Sequence, residues 1–165
     1  MIYIGIGSNL PSAEYGSPDA VVHAAIAAVA RTGARLLQTS SLWRTAPVPA
    51  SGQPSFLNAV IGIETSLSAA ALLGELHAIE ARFGRVRRER NEARIVDLDL
   101  LDYAGQVSPP GALPLLPHPR LAERAFVLRP LAEIAPDWRH PASGAGIARL
   151  IAALDPGQQA EKTSL

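Results

Sequence analysis

The chain has 165 residues, the length of one domain, and its 48% hydrophobic and 18% charged residues are typical of a globular protein. It contains no cysteine, which excludes disulfides, thiolate metal ligands and a thiol nucleophile. Fifteen basic residues balance fifteen acidic ones, so binding to nucleic acid through overall positive charge is disfavoured. The N-terminus lacks a basic region and no apolar run approaches the ~20 residues of a membrane span. We therefore expect a cytoplasmic protein with no membrane partner.

Periodicity predicts the elements of the first half of the chain. In chain order, these are a strand at residues 2–6, a helix at 20–31, strands at 35–43 and 56–65, and a helix at 68–83. Ser68 is a suitable N-cap for the second helix, and Gly84 is a suitable stop. Three prolines and a glycine predict a loop at 45–54.

The second half contains fewer regular elements. The residue pattern there predicts a charged loop at residues 85–94, a strand at 95–103 and a proline-rich loop at 105–119. It then predicts short helices at 126–134 and 147–154 and a frayed tail at 157–165. The whole order, strand-helix-strand-strand-helix-strand, predicts an α+β ferredoxin-like sandwich. Its antiparallel sheet would carry helices on one face, with accessory C-terminal helices. We expect a single domain over residues 1–156.

The sharpest chemical signal is Asp97-Leu98-Asp99 inside the last predicted strand. Residues two apart on a strand face the same side, so the two carboxylates would converge on one or two hard cations. Magnesium uses one or two protein carboxylates together with substrate phosphates. The alternative interpretation is a strand face whose charges are simply solvated.

An arginine-rich segment precedes the two aspartates. Fourteen of the fifteen basic residues are arginine, and no phosphate-binding lysine motif is present. Guanidinium groups next to a metal-binding strand indicate a polyphosphate ligand, and the absence of a nucleophile favours phosphoryl-type transfer. The alternative is a solvated loop with internal ion pairs. The arginines of this segment are Arg82, Arg85, Arg87, Arg88, Arg90 and Arg94.

Two further segments carry residues suited to a flat ligand. Phe56 and Asn58 lie on one face of a predicted strand, where a ring can stack on a heterocycle and an amide can pair with its edge. Taken alone, Phe56 fits a core position better than a stacking position, whereas Asn58 inside an apolar strand is more informative because a buried amide needs partners. His118 lies between two prolines, and it would either bind phosphate or pack.

Read together, these segments resemble the 6-hydroxymethyl-7,8-dihydropterin pyrophosphokinase family of folate biosynthesis. Each motif is short, but they occur in the family's order from Ile4 to about Trp138. The motifs are Gly7-Ser8-Asn9-Leu10, Arg44-Thr45-Ala46-Pro47-Val48, Gln53-Pro54-Ser55-Phe56-Leu57-Asn58-Ala59, Glu80, Gly84-Arg85-Val86-Arg87, Arg94-Ile95-Val96-Asp97-Leu98-Asp99-Leu100, Pro117-His118-Pro119-Arg120 and Glu123-Arg124-Ala125-Phe126-Val127-Leu128.

The resemblance implies transfer of the pyrophosphoryl group of ATP to the hydroxymethyl oxygen of the pterin, with release of AMP, by a ferredoxin-like fold. It implies that Asp97 and Asp99 hold two Mg²⁺ ions and act in catalysis with Arg85 and Arg94. The pterin site it implies consists of Thr45, Ala46, Val48, Phe56, Asn58 and Phe126. The ATP site it implies adds His77, Glu80, Arg87, Leu100, His118 and Arg124. Where many members carry Trp-Gly-Pro-Arg, this chain has Asn91-Glu92-Ala93-Arg94.

Three alternatives stay open at this point. The enzyme would act on another pterin alcohol, or the sheet would bind RNA, or the domain would bind a regulatory ligand without catalysis. An RNA-binding sheet requires exposed aromatic residues and a basic face, whereas only 5% of residues are aromatic and the net charge is zero. We expect small-molecule partners, ATP and the pterin, no nucleic acid, and a monomer.

Overall fold

The computed structural model describes residues 1–47, 50–84 and 93–163. Within these residues the chain is α+β, with a six-stranded sheet in which every strand pair is antiparallel. In chain order the elements are β1 (Ile2–Ser8), α1 (Pro18–Ala30), β2 (Arg35–Thr39), β3 (Trp43–Thr45), β4 (Phe56–Glu64), α2 (Ala69–Arg82), β5 (Asp97–Tyr103), a 3₁₀ turn (Leu121–Glu123), α3 (Ala125–Ile134), α4 (Ile147–Ala152) and β6 (Ala160–Lys162).

Most of these elements match the sequence predictions, including the ends of α2. Ser68 precedes α2 in extended conformation, and its hydroxyl accepts from the Ala71 N–H at 3.2 Å. Gly84 follows the helix with a φ of 82°, a backbone conformation that glycine adopts at little cost. The N-cap and the stop predicted for this helix are therefore confirmed.

The strand predicted at residues 35–43 is wrong as a single element, because the chain forms two short strands there. Ser40 lies in the break between β2 and β3 and is buried. Its backbone N–H donates to the Val60 carbonyl at 2.9 Å, and its hydroxyl accepts from the Val60 N–H at 3.0 Å. This serine side chain replaces a backbone acceptor, so the strand ladder is interrupted without leaving the Val60 N–H unpaired.

The frayed tail predicted at 157–165 is also wrong for residues 160–162, which form β6. β6 pairs with the edge of β3 through Trp43↔Lys162 and Thr45↔Ala160. The Thr163 N–H continues this pairing with a bond to the Leu42 carbonyl at 2.9 Å. Because a strand edge with free N–H and C=O groups gains hydrogen bonds from any segment that reaches it, β3 orders the tail.

The sheet has the order β5-β1-β4-β3-β6, with β2 also paired to β4, and it separates two cores. Ile4 and Ile6 of β1 point to the core that α1 and α2 cover. Tyr3, which lies between Ile2 and Ile4 and points to the opposite face, belongs to the second core, which α3 and α4 cover. The helices at the C-terminal end thus lie on the face opposite α1 and α2. In the ranges that the structure describes, no helix is long and apolar enough to cross a membrane.

Glu133 fastens α3 to the strands at that end of the sheet. Its carboxylate accepts from the Ser41 hydroxyl at 2.7 Å, from the Trp43 indole at 3.0 Å and from the Lys162 ammonium at 2.9 Å. Although desolvation raises the pKa of Glu133, these hydrogen bonds lower it more, from 4.5 to about 2. The charged form of this side chain therefore stabilises the fold.

We expect Glu133→Gln to lower the free energy of unfolding by about 1 kcal/mol at neutral pH. The effect is small because solvent screens charged groups near the surface. Because the folded pKa lies below the unfolded one, this contribution is present above pH 4.5 and is lost as the pH falls towards about 2. Urea unfolding of both proteins between neutral pH and acid measures it. Glu161→Gln, an exposed glutamate on β6, is the control. A Glu133→Gln deficit that stays constant with pH would contradict the prediction.

Candidate active site

A cavity of about 240 Å³ opens on the sheet face that α3 covers. Strands β1, β3, β4 and β5 form its floor and one wall, and the start of α3 forms another. The residues that line it are Gly5, Ile6, Gly7, Thr45, Ala46, Pro47, Phe56, Asn58, Ala59, Arg94, Asp97, Asp99, Arg120, Glu123, Arg124, Phe126, Val127 and Gln158.

Two glycines of β1 make the room for this cavity. Gly7 pairs with Asn58 of β4 on one side and with Asp97 of β5 on the other, so the three residues form a row on one face of the sheet. Gly5 forms the next row on the same face and is paired with Asp99. A Cβ on Gly7 would lie 2.9 Å from the Asn58 amide oxygen. Sequence reasoning did not assign these glycines to the site, although their alternation with isoleucines carried the signal.

Asp97 and Asp99 both line the cavity, as the same-side prediction for a strand required. Each carboxylate is held by an arginine: Arg94 lies 2.7 Å from Asp97, and Arg124 lies 3.2 Å from Asp99. The Asp97 side chain is 18% exposed and that of Asp99 is 29% exposed. Both carboxylates are therefore shielded from bulk water but open to the cavity.

Between the two aspartates, the edge of β5 is fixed from the other side of the sheet. Glu80 of α2 is buried, and its carboxylate accepts from the Leu98 N–H at 2.7 Å. Because Leu98 lies between Asp97 and Asp99, the hydrogen bond from its N–H to Glu80 holds the strand in place at both aspartates. This contact was not foreseen from the sequence.

The surroundings of Asp99 disfavour its charged form in the folded protein. Burial raises the pKa of Asp99 above its usual 3.8, and the neighbouring charge of Asp97 raises it further, against the effects of His118 and Arg124. Burial likewise lowers the pKa of His118 below 6.5, against the effect of Asp99. A neutral His118 accepts from the Arg120 N–H through Nδ1 at 3.2 Å, so Nε2 carries the proton. That Nε2 lies 3.9 Å from an oxygen of Asp99.

Two phenylalanines face the cavity, each with an arginine over its ring. The Arg94 guanidinium lies 5.5 Å from the centroid of Phe56, and that of Arg124 lies 5.2 Å from the centroid of Phe126. Both distances are within the range of cation–π attraction. Each arginine thus connects an aromatic face to a carboxylate, and the structure brings together Phe56 and Phe126, which are far apart in sequence.

A buried amide completes the wall beside Phe56. Asn58 is 5% exposed, and its Nδ2 donates to the Thr45 hydroxyl at 2.8 Å. Because a buried amide has to be paired, this bond fixes which edge of Asn58 faces Gly7 and the cavity. Ala46, which follows Thr45, also lines the cavity.

Asn9 ties two loops to the strand end beside the cavity. Its side-chain oxygen accepts from the Arg94 N–H at 2.9 Å, and its amide donates to the Pro54 carbonyl at 3.2 Å and to the Gln53 side chain at 3.3 Å. The Arg94 carbonyl in turn accepts from the Asn9 N–H at 3.3 Å. Asn9 therefore holds the backbone of Arg94 beside the cavity.

Four of the predicted site residues that the structure describes do not line this cavity, namely His77, Glu80, Leu100 and His118. Leu100 is buried in the core with α1 and α2, and His77 is exposed on α2; neither lines the cavity. Val48, Arg85 and Arg87 lie outside the described residues. Conversely, the structure adds Pro47, Arg120, Glu123 and Gln158 to the lining.

The donor set of this site fits magnesium. Asp97 and Asp99 supply hard oxygen ligands on one strand face, and burial and mutual repulsion of the carboxylates are disadvantages that a cation relieves. Among the described residues, no group of three or more histidine, cysteine, aspartate or glutamate side chains is placed to hold a metal ion. Two carboxylates suit a metal that takes its remaining ligands from water and phosphate.

Comparison with known proteins identifies relatives of this chain. Residues 3–136 match the family described as 7,8-dihydro-6-hydroxymethylpterin-pyrophosphokinase. A 2-amino-4-hydroxy-6-hydroxymethyldihydropteridine pyrophosphokinase of Methylorubrum extorquens is 42% identical over 156 residues, 93% of each chain. A protein of the same name from Haemophilus influenzae is 40% identical, over 86% of this chain and 85% of that protein. The folic acid synthesis protein fol1 of Pneumocystis carinii is 39% identical over 89% of this chain, which spans only 19% of that longer protein.

The raised pKa of Asp99 predicts that this site costs stability. We expect Asp99→Asn to unfold at a higher temperature than the wild type at neutral pH, because the buried charge is removed. A folded pKa above 3.8 means that the unfavourable charge develops as the pH rises, so the gain of the variant disappears as the pH falls through 3.8. Thermal unfolding across this range measures the difference, and Asp137→Asn, at an exposed aspartate, is the control. An Asp99→Asn protein less stable than the wild type at neutral pH would show that the ion pair with Arg124 dominates.

Proposed function

The chain belongs to the 7,8-dihydro-6-hydroxymethylpterin-pyrophosphokinase family, and from this premise we propose how its cavity carries out the reaction. It is an ATP-dependent transferase of folate biosynthesis that moves the pyrophosphoryl group of ATP to hydroxymethyldihydropterin. The pterin oxygen forms a bond to the β-phosphorus, the bond from that phosphorus to the α-phosphate oxygen breaks, and AMP leaves. The hydroxymethyl proton passes from the attacking oxygen to solvent water.

One observation supports the assignment of this cavity most directly. Two carboxylates, Asp97 and Asp99, face the same space as two phenylalanine rings, and an arginine lies between each carboxylate and a ring. One side of the cavity thus suits metal and phosphate, and the other suits a planar heterocycle. A reaction that joins a pyrophosphoryl group to a pterin needs both sides within one site.

On the aromatic side, we propose that Phe56 and Phe126 hold the pterin ring between them. The Asn58 amide would pair with the polar edge of the ring, oriented by its bond to the Thr45 hydroxyl. Thr45, Ala46 and Val48 would add backbone contacts along the same edge. Because Phe56 and Asn58 of β4 are paired with β3, which carries Thr45, their positions are set by the sheet, and the reacting oxygen would be directed towards the aspartates.

On the polar side, we propose that arginines hold the phosphates of ATP. Arg94 and Arg124, now paired with the carboxylates, would turn their remaining donors to phosphate oxygens, together with Arg85 and Arg87. Neutral His118 would donate from Nε2 to the same oxygens. Glu80, His77 and Leu100 would contribute from α2 and β5 at the adenosine end. Arg85, Arg94, Asp97 and Asp99 are the residues we propose for catalysis.

We propose that Asp97 and Asp99 hold two Mg²⁺ ions. When bound, the ions neutralise the charge of the phosphate oxygens and assist departure of AMP. The part of this chain is to present both carboxylates on one strand face. Glu80 holds the Leu98 N–H between them and so keeps that spacing.

The wider organisation follows from the same premise. We propose that residues 1–156 form the catalytic domain, to whose sheet β6 adds an edge strand. Its core would be ferredoxin-like, which the strand order β5-β1-β4-β2 and the two helices α1 and α2 support. We further propose a cytoplasmic monomer whose partners are ATP and the pterin. A zero net charge supports the absence of nucleic acid among these partners.

The test of the function is release of AMP from ATP by purified protein with magnesium and 6-hydroxymethyl-7,8-dihydropterin. We expect release to depend on the pterin and to fall by about a thousandfold in Asp97→Asn and Asp99→Asn, because each loses a ligand for the transferring group. Asp137→Asn should keep wild-type turnover. Turnover that survives in both site variants would refute the assignment of the cavity, and folded wild-type protein without AMP release would refute the function.

Gly7 offers a test of the pterin side alone. A methyl group at Gly7 would lie 2.9 Å from the Asn58 oxygen and would displace the amide from Thr45. We expect Gly7→Ala to raise the KM for the pterin about tenfold, equivalent to ~1.4 kcal/mol, with a smaller change for ATP. Gly74→Ala, at an exposed position on α2, is the control, since its Cβ would meet nothing within 4 Å. Equal effects of the two variants on the pterin KM would contradict the role of Asn58.

A further inference from the structure

The C-terminal tail reaches the cavity from beyond the segment that the family match covers. That match ends at residue 136, and Gln158 follows it by more than twenty residues. Of the described residues that line the cavity, Gln158 is the only one past that point. Its side chain is partly buried, whereas that of the next residue, Gln159, is exposed.

Both ends of the Gln158 amide are bonded to the backbone around Arg124. The Gln158 Nε2 donates to the Glu123 carbonyl at 2.8 Å, and its Oε1 accepts from the Ala125 N–H at 3.0 Å. The two peptide groups belong to the residues immediately before and after Arg124. Gln158 therefore fixes the backbone position from which Arg124 reaches Asp99.

The start of α3 needs the acceptor that the Gln158 side-chain oxygen provides. The first N–H groups of a helix have no partner within the helix, and an N-cap side chain normally supplies one. The N-cap of α3 is Arg124, which has no acceptor atom and makes no capping bond. Gln158 supplies the missing acceptor from a distant part of the chain. Phe126, the second residue of α3, is placed by the same contact.

The tail around Gln158 is itself anchored on both sides. Before it, the Gln158 N–H donates to the Asp155 carbonyl at 3.0 Å in a turn. After it, Ala160 pairs with Thr45 in the ladder between β6 and β3. Thr45 lies in one wall of the cavity and Arg124 in another. Within two residues, the tail thus joins the wall that carries Thr45 to the wall that carries Arg124 and Phe126.

We propose that Gln158 is a positioning residue for the pyrophosphoryl transfer and acts through Arg124. The proposal rests on the function proposed above and extends the site to the C-terminal tail. Gln158 binds the peptide groups on both sides of Arg124. It thereby keeps the Arg124 guanidinium beside Asp99 and over the ring of Phe126. Displacement of this group by a fraction of an ångström weakens charge neutralisation at the transferring group more than it weakens ground-state binding.

The experiment measures steady-state AMP release with wild type, Gln158→Met and Gln159→Met. Methionine keeps the length of glutamine but makes neither hydrogen bond. We expect Gln158→Met to lower kcat about tenfold with KM values for ATP and pterin changed by less than about threefold. Gln159→Met should match the wild type, and circular dichroism confirms that each variant is folded.

A second arm separates positioning from general loosening of the fold. In an Arg124→Met background, the added Gln158→Met change should lower kcat by less than about twofold, because its effect passes through Arg124. An undiminished tenfold loss in that background would overturn the proposal, as would equal turnover of Gln158→Met and Gln159→Met.

If Gln158→Met does not fold, Gln158→Glu keeps the acceptor for Ala125 and loses the donor to Glu123. An intermediate kcat for Gln158→Glu supports the proposal, and wild-type kcat overturns it. Wild-type protein without pterin-dependent AMP release instead overturns the proposed function itself.

Discussion

The two faces of β1 impose the constraint on which the rest of this molecule depends. Ile4 and Ile6 on one face anchor the core with α1 and α2, while Gly5 and Gly7 on the other leave space above the sheet. The side-chain period of a strand is two, so the core and the cavity are fixed by a single register. A shift of β1 by one residue would bury the glycines in the core and fill the cavity with isoleucine. The pairing of Gly7 with both Asn58 and Asp97 then places the amide and the carboxylate on opposite sides of that space.

The charges of the cavity are arranged at a cost to the fold. Burial and the neighbouring Asp97 raise the pKa of Asp99, so its ionised form is less stable there than in water. Arg94 and Arg124 compensate in part, but each is also held over an aromatic ring. A guanidinium has five N–H donors, so each arginine can keep its carboxylate and still bind a phosphate. This arrangement favours the polyanion and the cations proposed for the site over maximum stability of the fold.

Sequence reasoning was effective where local chemistry decides the structure. Ser68 capped α2 as predicted, and Asp97 and Asp99 share a face because strand geometry requires it. It failed where distant contacts decide. Nothing local in the stretch at 35–43 shows that Ser40 bonds to Val60, and nothing local after residue 157 shows that the edge of β3 is free to pair. Leu100 on β5 and His77 on α2 were assigned to the site from the resemblance alone, and neither of them lines the cavity.

The tail illustrates why such distant contacts concern function as well as fold. An arginine at the N-cap of α3 is a poor choice for the helix, because it leaves the first N–H groups without a side-chain acceptor. It is a suitable choice for the cavity, because it places a guanidinium within 3.2 Å of Asp99. A conflict of this kind needs compensation elsewhere, and Gln158 provides the acceptor. Since β6 holds this glutamine in place through β3, the strand that carries Thr45 also determines how firmly Arg124 is set. The two walls of the cavity are thus coupled through a segment that touches both of them.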